Sequence, residues 1–219
     1  MKKVVLRIIF YIVGLFIVTL GIAACIKSGL GVSPVTSIPR TISLVSSITT
    51  GVATILFYAL LVVIQILLLR KNFKLKNLLQ LPVAILFGYF TDFSIWLLSA
   101  SNIVQGGMVL QFAVCIIGIL LVAIGMFFYV PTDIVPLPPD GTIKTVAELT
   151  KMKFPNVKII YDVTSVSISL VVCILFLKPF ALENMSVGIG TVLAAVFVGL
   201  ILGFLNKWLG KKRDSFIKQ

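Results

Sequence analysis

Six long apolar runs constrain the fold of this 219-residue chain more than any other feature. A helix needs about 20 apolar residues to cross a hydrocarbon core of about 30 Å. The runs have about this length, and charged residues, Pro or Gly with polar neighbours separate them. They lie at 8–26, 52–69, 78–103, 108–130, 159–177 and 184–206. The sequence therefore predicts an all-α, polytopic membrane protein with six transmembrane helices.

Composition supports this class and excludes others. Charged residues make up 12% of the chain and hydrophobic residues 59%, whereas soluble domains average about 25% and about 45–50%. The chain has no His, and Cys25, Cys115 and Cys173 lie far apart, so imidazole and clustered-thiol chemistry are excluded. We expect no catalytic residue, no metal and no cofactor, and we expect that the protein is not an enzyme. The first run lacks a small-residue cleavage site, so we expect it to be retained rather than removed as a signal peptide.

The basic residues predict the orientation of the chain. With both termini in the cytoplasm, 16 of the 19 Lys and Arg residues fall on the inner side, as the positive-inside rule requires. The outer side then holds Lys27, Arg40 and Lys178. The net charge of +12 is explained by topology and by anionic inner-leaflet lipid, so no nucleic-acid partner is expected. We expect a multi-pass protein of the cell membrane, surrounded by the lipid bilayer, with a basic cytoplasmic tail at 207–219.

The sequence also contains an internal repeat. Residues 11–21, YIVGLFIVTLG, match residues 115–125, CIIGILLVAIG. A unit of three spans is odd, so two such units must cross the membrane in opposite senses, as in many secondary transporters. We predict one membrane domain of two inverted three-helix repeats, at about 8–103 and 108–206. The paired positions are Gly14 with Gly118, Gly21 with Gly125, Pro34 with Pro138 and Arg40 with Lys144.

The segment after the first helix of each repeat is the candidate binding region. In the first segment, glycines suit a helix end and Ser33 suits the N-cap of a helix too short to span. In the second, prolines interrupt the chain before a short helix at 143–151, with Asp140 or Thr142 as its cap. As re-entrant or broken segments, the two would direct helix N-termini at one midplane site and attract an anion. Ordinary surface turns with interfacial helices are the alternative.

The candidate substrate-binding residues are the hydroxyl, acidic and basic side chains of these two segments. They are Ser33, Thr36, Ser37, Arg40, Asp140, Thr142 and Lys144. Arg40 and Lys144 occupy matched repeat positions and could bind an anionic group from opposite loops. Lys144 could instead pair with Glu148, four residues later on the same helix.

Two acids within the apolar runs are candidates for ion coupling. Asp92 lies about fifteen residues, or roughly 20 Å, into the third run, where a carboxylate needs a partner or water. It could bind a coupling ion or proton, or it could be a hydrogen-bonded structural acid. Asp162 follows Lys158 by four residues, which favours a local ion pair. With Tyr161 it could instead form part of a polar patch that lines a vestibule.

The last run carries a row of small residues at four-residue spacing, namely Ala195, Gly199 and Gly203. Such rows allow close helix packing in membranes. We expect this row to pack within the chain, with homo-oligomerisation as the alternative.

Four motifs together resemble one bacterial family. They are GLGVSPVTSIPRTIS (29–43), LFGYFTDF (86–93), PLPPDGTIKTVA (136–147) and VKIIYDVT (157–164). In order and spacing they resemble the YczE/YyaS family of integral membrane proteins, distantly similar to the YitT group, over nearly the whole chain. The resemblance implies a bacterial inner-membrane location; Arg40 departs from it, since an aromatic residue is expected there. The motif positions that it marks, without assigning chemistry, are Pro34, Ser37, Pro39, Gly88, Asp92, Asp140, Gly141, Lys144 and Asp162.

These observations predict a small secondary transporter or permease. It would bind a small polar solute, an anion among the candidates, near the membrane midplane and couple to H⁺ or Na⁺ through Asp92 or Asp162. One alternative is a substrate-capturing subunit of a larger importer. The other is a non-transporting accessory protein whose basic inner loops anchor a cytoplasmic partner.

Overall fold

A computed structural model of the chain describes residues 2–99, 107–176 and 186–217. Within these residues the protein is all-α, as predicted, with eight α-helices and no strand. Two of the helices, α2 and α6, are too short to cross a membrane. The helices are α1 Lys2–Ser28, α2 Pro34–Val45, α3 Thr50–Leu69, α4 Gln80–Leu97, α5 Gly107–Tyr129, α6 Pro138–Thr150, α7 Phe154–Phe176 and α8 Ile189–Ile217.

Six helical segments are long and apolar enough to cross a membrane, which confirms the predicted number and makes this a multi-pass membrane protein. The third predicted run extended to residue 103, but α4 ends at Leu97. Residues 100–103, 177 and 184–185 of the predicted runs lie outside the described residues. The spans are Val4–Ser28, Thr50–Asn72, Leu75–Leu97, Gly107–Thr132, Phe154–Phe176 and Ile189–Ser215.

Two predicted boundaries differ from the structure. The helix predicted at 143–151 begins five residues earlier, because Pro138 and Pro139 occupy its first positions, where no N–H is needed. Its N-cap is Leu137, so Asp140 and Thr142 lie within the helix and the predicted caps were wrong. Helix α8 continues to Ile217, through most of the segment predicted as a tail.

The chain folds into two compact units. The first comprises Met1–Ser33, Phe93–Ile134 and Gly188–Gln219. The second comprises Pro34–Asp92 and Val135–Val187. Each unit therefore combines segments from both halves of the sequence.

Helices α1 and α5 form the centre of the first unit and pack antiparallel at glycines. A Cβ atom added to Gly125 would lie 2.6 Å from the Gly14 carbonyl oxygen, and one added to Gly21 would lie 2.6 Å from the Gly118 oxygen. Only glycine allows backbones this close. These four glycines are the matched positions of the internal repeat. In the structure Gly14 contacts Gly125, and Gly21 contacts Gly118.

Helix α8 packs along α5 in the first unit. Cys25 and Cys115 are buried with Ile119 and Ala194 in an apolar cluster, so these two thiols act as small apolar side chains. Near the C-terminal end of α8, Arg213 contacts α5: its Nη1 atom donates to the Phe127 carbonyl oxygen at 3.0 Å. Its guanidinium also lies 4.3 Å from the centre of the Phe127 ring.

The row of small residues on α8 does not pack within the described chain. Ala195, Gly199 and Gly203 are exposed. A Cβ atom added to Gly199 or Gly203 would meet no described atom within 4 Å. The expectation of packing within the chain is wrong for these described residues, and homo-oligomerisation stays a prediction.

The second unit is organised around its two short helices. Helix α2 packs against α3 and α7, and α6 packs against the same two helices. The short helices begin at the matched prolines Pro34 and Pro138. On one side of α6, Ile143, Ala147 and Val157 form a small apolar cluster with α7. Elsewhere the interior of this unit contains both buried apolar side chains, such as Leu61, Val62 and Phe87, and buried polar ones.

Candidate functional site

Buried hydroxyl and amide groups line the second unit on α2, α3, α6 and α7. Several of the hydroxyls donate to a carbonyl of their own helix, as Thr41 does to Ser37 at 2.9 Å and Thr54 to Thr50 at 2.7 Å. Each such oxygen still has lone pairs that can accept another hydrogen bond. The buried polar residues of these helices are Thr36, Ser37, Thr41, Thr50, Thr54, Gln65, Thr142, Thr145, Ser165 and Ser169.

A pair of glutamines lies at the start of α6. Gln65 on α3 and Gln80 on α4 are each 1% exposed. Their amides exchange two hydrogen bonds of 3.1 and 3.0 Å, and Gln65 Nε2 also donates to the Thr142 hydroxyl at 3.2 Å. A Cβ atom added to Gly141 would lie 2.8 Å from Gln80 Oε1, so a larger residue here would displace the glutamine amides. The arrangement brings Thr142, a predicted site residue, into a buried amide network.

Asp92 binds the first turn of α3. Its Oδ1 atom accepts from the Gly51 N–H at 2.7 Å, and its Oδ2 atom accepts from the Thr49 hydroxyl at 2.5 Å. Thr49 is the N-cap and accepts in turn from the Val52 N–H at 3.2 Å. A carboxylate here satisfies free N–H groups and complements the positive end of the helix. Both carboxylate oxygens of Asp92 are therefore used in a structural contact, and ion coupling through Asp92 stays a prediction.

Arg40 lies beside the same turn. Its Nη1 atom donates to the Thr50 hydroxyl at 3.2 Å, and Thr50 donates to Ser43 at 3.1 Å. Among the described residues no carboxylate lies within ion-pair distance of this guanidinium. Burial lowers the pKa of the Arg40 guanidinium from its usual value, although a guanidinium stays protonated at neutral pH. Arg40 and Asp92 thus contact neighbouring residues of one helix terminus and form no ion pair with each other in the described structure.

Helix α7 holds the second candidate acid. Asp162 Oδ2 lies 3.3 Å from Lys158 Nζ, which confirms the ion pair that the four-residue spacing predicts. The other oxygen, Asp162 Oδ1, is buried without a hydrogen-bond partner in the described chain, as are the Ser169 and Tyr161 hydroxyl oxygens. Tyr161 and Asp140 lie within electrostatic range of the buried Tyr58 on α3. This end of the second unit therefore collects aromatic hydroxyls and two acids.

The remaining predicted site residues are Ser33, Ser37 and Lys144. Ser33 is the last residue before α2 and belongs to the first unit. Ser37 is buried and donates to the Pro34 carbonyl at 2.7 Å. Lys144 is exposed on α6 and makes no ion pair with Glu148 in the described structure. Binding of an anion by Arg40 and Lys144 together stays a prediction, but only one of the two side chains is directed into buried surroundings.

The two glutamines, Gln65 and Gln80, were not among the site residues predicted from the sequence. Gln65 stands alone in a run that otherwise lacks strongly polar side chains, and a buried amide in a membrane helix needs a partner on a neighbouring helix. That signal is present in the sequence at Gln65. The identity of its partner is not, because Gln80 comes fifteen residues later, beyond a connection of two short 3₁₀ turns.

Comparison with known proteins identifies the family. A profile described as "Family of unknown function (DUF6198)" matches residues 5–207. The chain belongs to this family. It is 29% identical over 199 residues to "Uncharacterized protein YyaS" of Bacillus subtilis strain 168, which is 90% of each chain. It is also 29% identical over 206 residues to "Uncharacterized membrane protein YczE" of the same organism, covering 93% of this chain and 86% of the relative.

These relatives confirm the resemblance that the four motifs indicated. No solved structure gives a significant match. Among the described residues, no group of three or more His, Cys, Asp or Glu side chains could hold a metal ion.

Proposed function

We propose that this DUF6198 protein is a secondary carrier for a small, neutral, polar solute, and that the solute passes through the second unit. The observation that carries the proposal is the interior of that unit, where four helices present buried hydroxyl and amide groups. A helix bundle in lipid gains nothing from burying so many polar groups unless they bind one another or a ligand. Two short helices that begin at matched prolines fit the broken-helix construction of carriers.

The charges of the second unit favour a neutral solute over an anion. Arg40 and Asp92, which carry opposite charges, contact adjacent residues at the start of α3. Lys158 and Asp162 form an ion pair on α7. Lys144 is exposed, so it adds no positive charge to the buried interior. An anion entering this unit would meet balanced charges rather than a net positive site.

Inverted repeats support the same function. If the two halves are related by an axis in the membrane plane, equivalent glycines of α1 and α5 should pair reciprocally, as Gly14 with Gly125 and Gly21 with Gly118 do. The same relation accounts for α2 packing on α7 while α6 packs on α3. We infer that the repeats are inverted, which gives a carrier two equivalent arrangements of one fold.

Of the two candidate acids, we assign ion coupling to Asp162. Both oxygens of Asp92 accept short hydrogen bonds from the α3 terminus, whereas one buried oxygen of Asp162 has no hydrogen-bond partner among the described residues and could bind H⁺ or Na⁺. Its partner Lys158 lies on the neighbouring turn and could release the carboxylate when a cation binds. Orientation by the positive-inside rule, with both termini in the cytoplasm of a bacterial inner membrane, is part of the proposal.

Solute flux into proteoliposomes tests the carrier. Stopped-flow light scattering would follow swelling with glycerol, erythritol and urea as neutral solutes and with formate as the anion, with and without H⁺ or Na⁺ gradients. We expect faster entry of at least one neutral solute than in protein-free liposomes, and loss of the gradient effect in Asp162→Asn. Absence of flux for the whole panel would contradict the carrier and favour the importer-subunit or accessory alternatives.

The glutamine pair provides a matched set of variants for the same assay. Gln65→Leu alone leaves the Gln80 amide buried without its partner, whereas Gln65→Leu with Gln80→Leu removes both amides. We expect the single variant to be less stable than the double variant by about 1–3 kcal/mol, measured by thermal unfolding in detergent. If the amides line the path, the double variant should be folded but slow in flux. Full flux in a folded double variant would show that the two glutamines do not line the solute path.

A further inference from the structure

One ridge of α7 carries a polar side chain on every turn. Tyr161, Ser165, Ser169 and Cys173 follow one another at four-residue spacing, so their side chains line up along one face of the helix over about 18 Å. Ser165, Ser169 and Cys173 are buried, and Tyr161 is half-buried. We call these four residues the α7 hydroxyl ridge. A buried ridge in a membrane helix would ordinarily carry alkyl side chains.

At the Cys173 end of the ridge, the polar atoms have hydrogen-bond partners within the protein. The Cys173 thiol lies 3.4 Å from the Ser186 hydroxyl, which lies 2.5 Å from the Thr41 hydroxyl of α2. This end is therefore closed by a small hydrogen-bond network between α7, α2 and the segment before α8. The polar atoms there need no further ligand.

Elsewhere on and beside the ridge, buried polar atoms lack hydrogen-bond partners in the described structure. Ser169 is 1% exposed, and its hydroxyl oxygen has no hydrogen-bond partner in the described structure. The Tyr161 hydroxyl lies beside Ser165 without a hydrogen bond of regular geometry. Next to Tyr161, the Asp162 Oδ1 atom is also buried and unpartnered. Buried polar atoms are nearly always paired, with protein or with bound water, so three on one helix indicate a ligand that supplies hydrogen bonds.

We propose that the part of the α7 hydroxyl ridge from Tyr161 to Ser169 binds small neutral hydroxyl compounds, either water or a polyol, in single file within the second unit. The ridge offers hydroxyl donors and acceptors and no cationic group, and Asp162 beside it is paired with Lys158, so the ridge gives an anion no net positive site. The proposal rests on the proposed carrier function and deepens it, because it names the helix face that the solute contacts and the chemical class of that solute.

Cysteine labelling in the membrane tests the ridge. In full-length protein whose native thiols are replaced, Ser169→Cys is compared with Ile168→Cys, one residue earlier on α7 and 46% exposed on the outside of the helix. A water-soluble methanethiosulfonate is added to open membrane fragments, so that both sides are reached. Only a hydrated thiol ionises and reacts readily, so we expect labelling of Ser169→Cys to be faster by on the order of tenfold or more. The background substitutions are Cys25→Ala, Cys115→Ala and Cys173→Ser.

Equal, slow labelling of the two variants would contradict the proposal that the α7 hydroxyl ridge binds a ligand. If Ser169→Cys fails to accumulate, Ser165→Cys with Val163→Cys as its exposed control gives the same comparison. Slower labelling in the presence of erythritol supports a polyol ligand, and slowing by formate alone overturns the neutral class. Slowing by neither probe supports water as the hydroxyl ligand and overturns the polyol assignment.

The labelling result and the flux result can fail separately. Rapid labelling in a protein that shows no flux would contradict the carrier function but support hydration of the ridge. Slow labelling in a protein that shows flux would contradict ligand binding at the ridge but support the carrier function, with the solute following another path.

Discussion

At the residue scale, Asp92 shows how a carboxylate can be tolerated within an apolar run. The sequence indicates only that the acid needs a partner. The structure supplies two donors, the Thr49 hydroxyl and the Gly51 N–H, both at the first turn of α3. Because α4 ends five residues later at Leu97, the acid also lies closer to the end of its helix than the predicted run implied. The distance of Asp92 from the start of the predicted run therefore did not indicate how near it lies to the end of α4.

The first prediction concerns this contact. Asp92→Ala removes both acceptors and should lower the free energy of unfolding by about 1–3 kcal/mol, because the α3 N–H and the Thr49 hydroxyl lose a charged partner. The measurement is thermal unfolding in detergent. Thr49→Ser is the control, since it keeps the hydroxyl and should change stability little. If Asp92→Asn and Asp92→Ala unfold like the parent protein but abolish gradient-dependent flux, coupling through Asp92 would replace the structural role.

At the element scale, the antiparallel contact of α1 with α5 depends on glycine. Their backbones approach so closely at Gly14, Gly21, Gly118 and Gly125 that any Cβ atom would meet main-chain atoms. Glycine costs about 1 kcal/mol relative to alanine in a helix interior. Close packing over two helical turns therefore has to offset that loss, which it does through dispersion contacts between whole backbones.

The second prediction compares two glycines on different helices. Gly125→Ala would bring its Cβ atom within 2.6 Å of backbone atoms of α1, so we expect it to lower stability by about 1–3 kcal/mol. Gly199→Ala on α8 meets no described atom within 4 Å. It should be neutral or stabilising by up to about 1 kcal/mol, because alanine is the better helix former. Both are measured by thermal unfolding in detergent; equal effects would mean that α1 and α5 are not held together at these glycines.

At the scale of the whole molecule, the basic residues should fix how the chain crosses the membrane. Arg70, Lys71, Lys74 and Lys76 lie in the connection between the second and third spans, and Lys211 and Lys212 are exposed at the end of α8. The even number of spans brings both groups to the same side of the membrane. That side should be the cytoplasm.

The third prediction tests this orientation with reporter fusions in a bacterial host. Green fluorescent protein fused after Gln219 or after Asn72 should fluoresce, and alkaline phosphatase at the same sites should be inactive, since both sites are predicted to be cytoplasmic. Fusions after Gly107, which follows three spans, should give the opposite pattern. The reverse result at all three sites would invert the orientation and contradict the charge argument.

Features that depend on neighbours along the chain could be predicted from the sequence. The six spans follow from the length of the apolar runs, the start of α2 at Pro34 from its proline, and the Lys158–Asp162 ion pair from helical spacing. Each of these rests on one helix or one turn, so residue order is sufficient. The start of α6 was wrong because two prolines can open a helix as well as interrupt one.

Partners that are distant in sequence were decided only by the tertiary structure. Asp92 was predicted as a candidate residue, but its contact with α3 and the amide pair of Gln65 and Gln80 were not predicted. A polar patch at Tyr161 and Asp162 was one alternative predicted from the sequence, but Ser169, whose buried hydroxyl has no partner in the described structure, was not predicted as part of it. The physical reason is that a polar group in lipid must be satisfied, which sequence can state, while the group that satisfies it depends on which helix faces pack together.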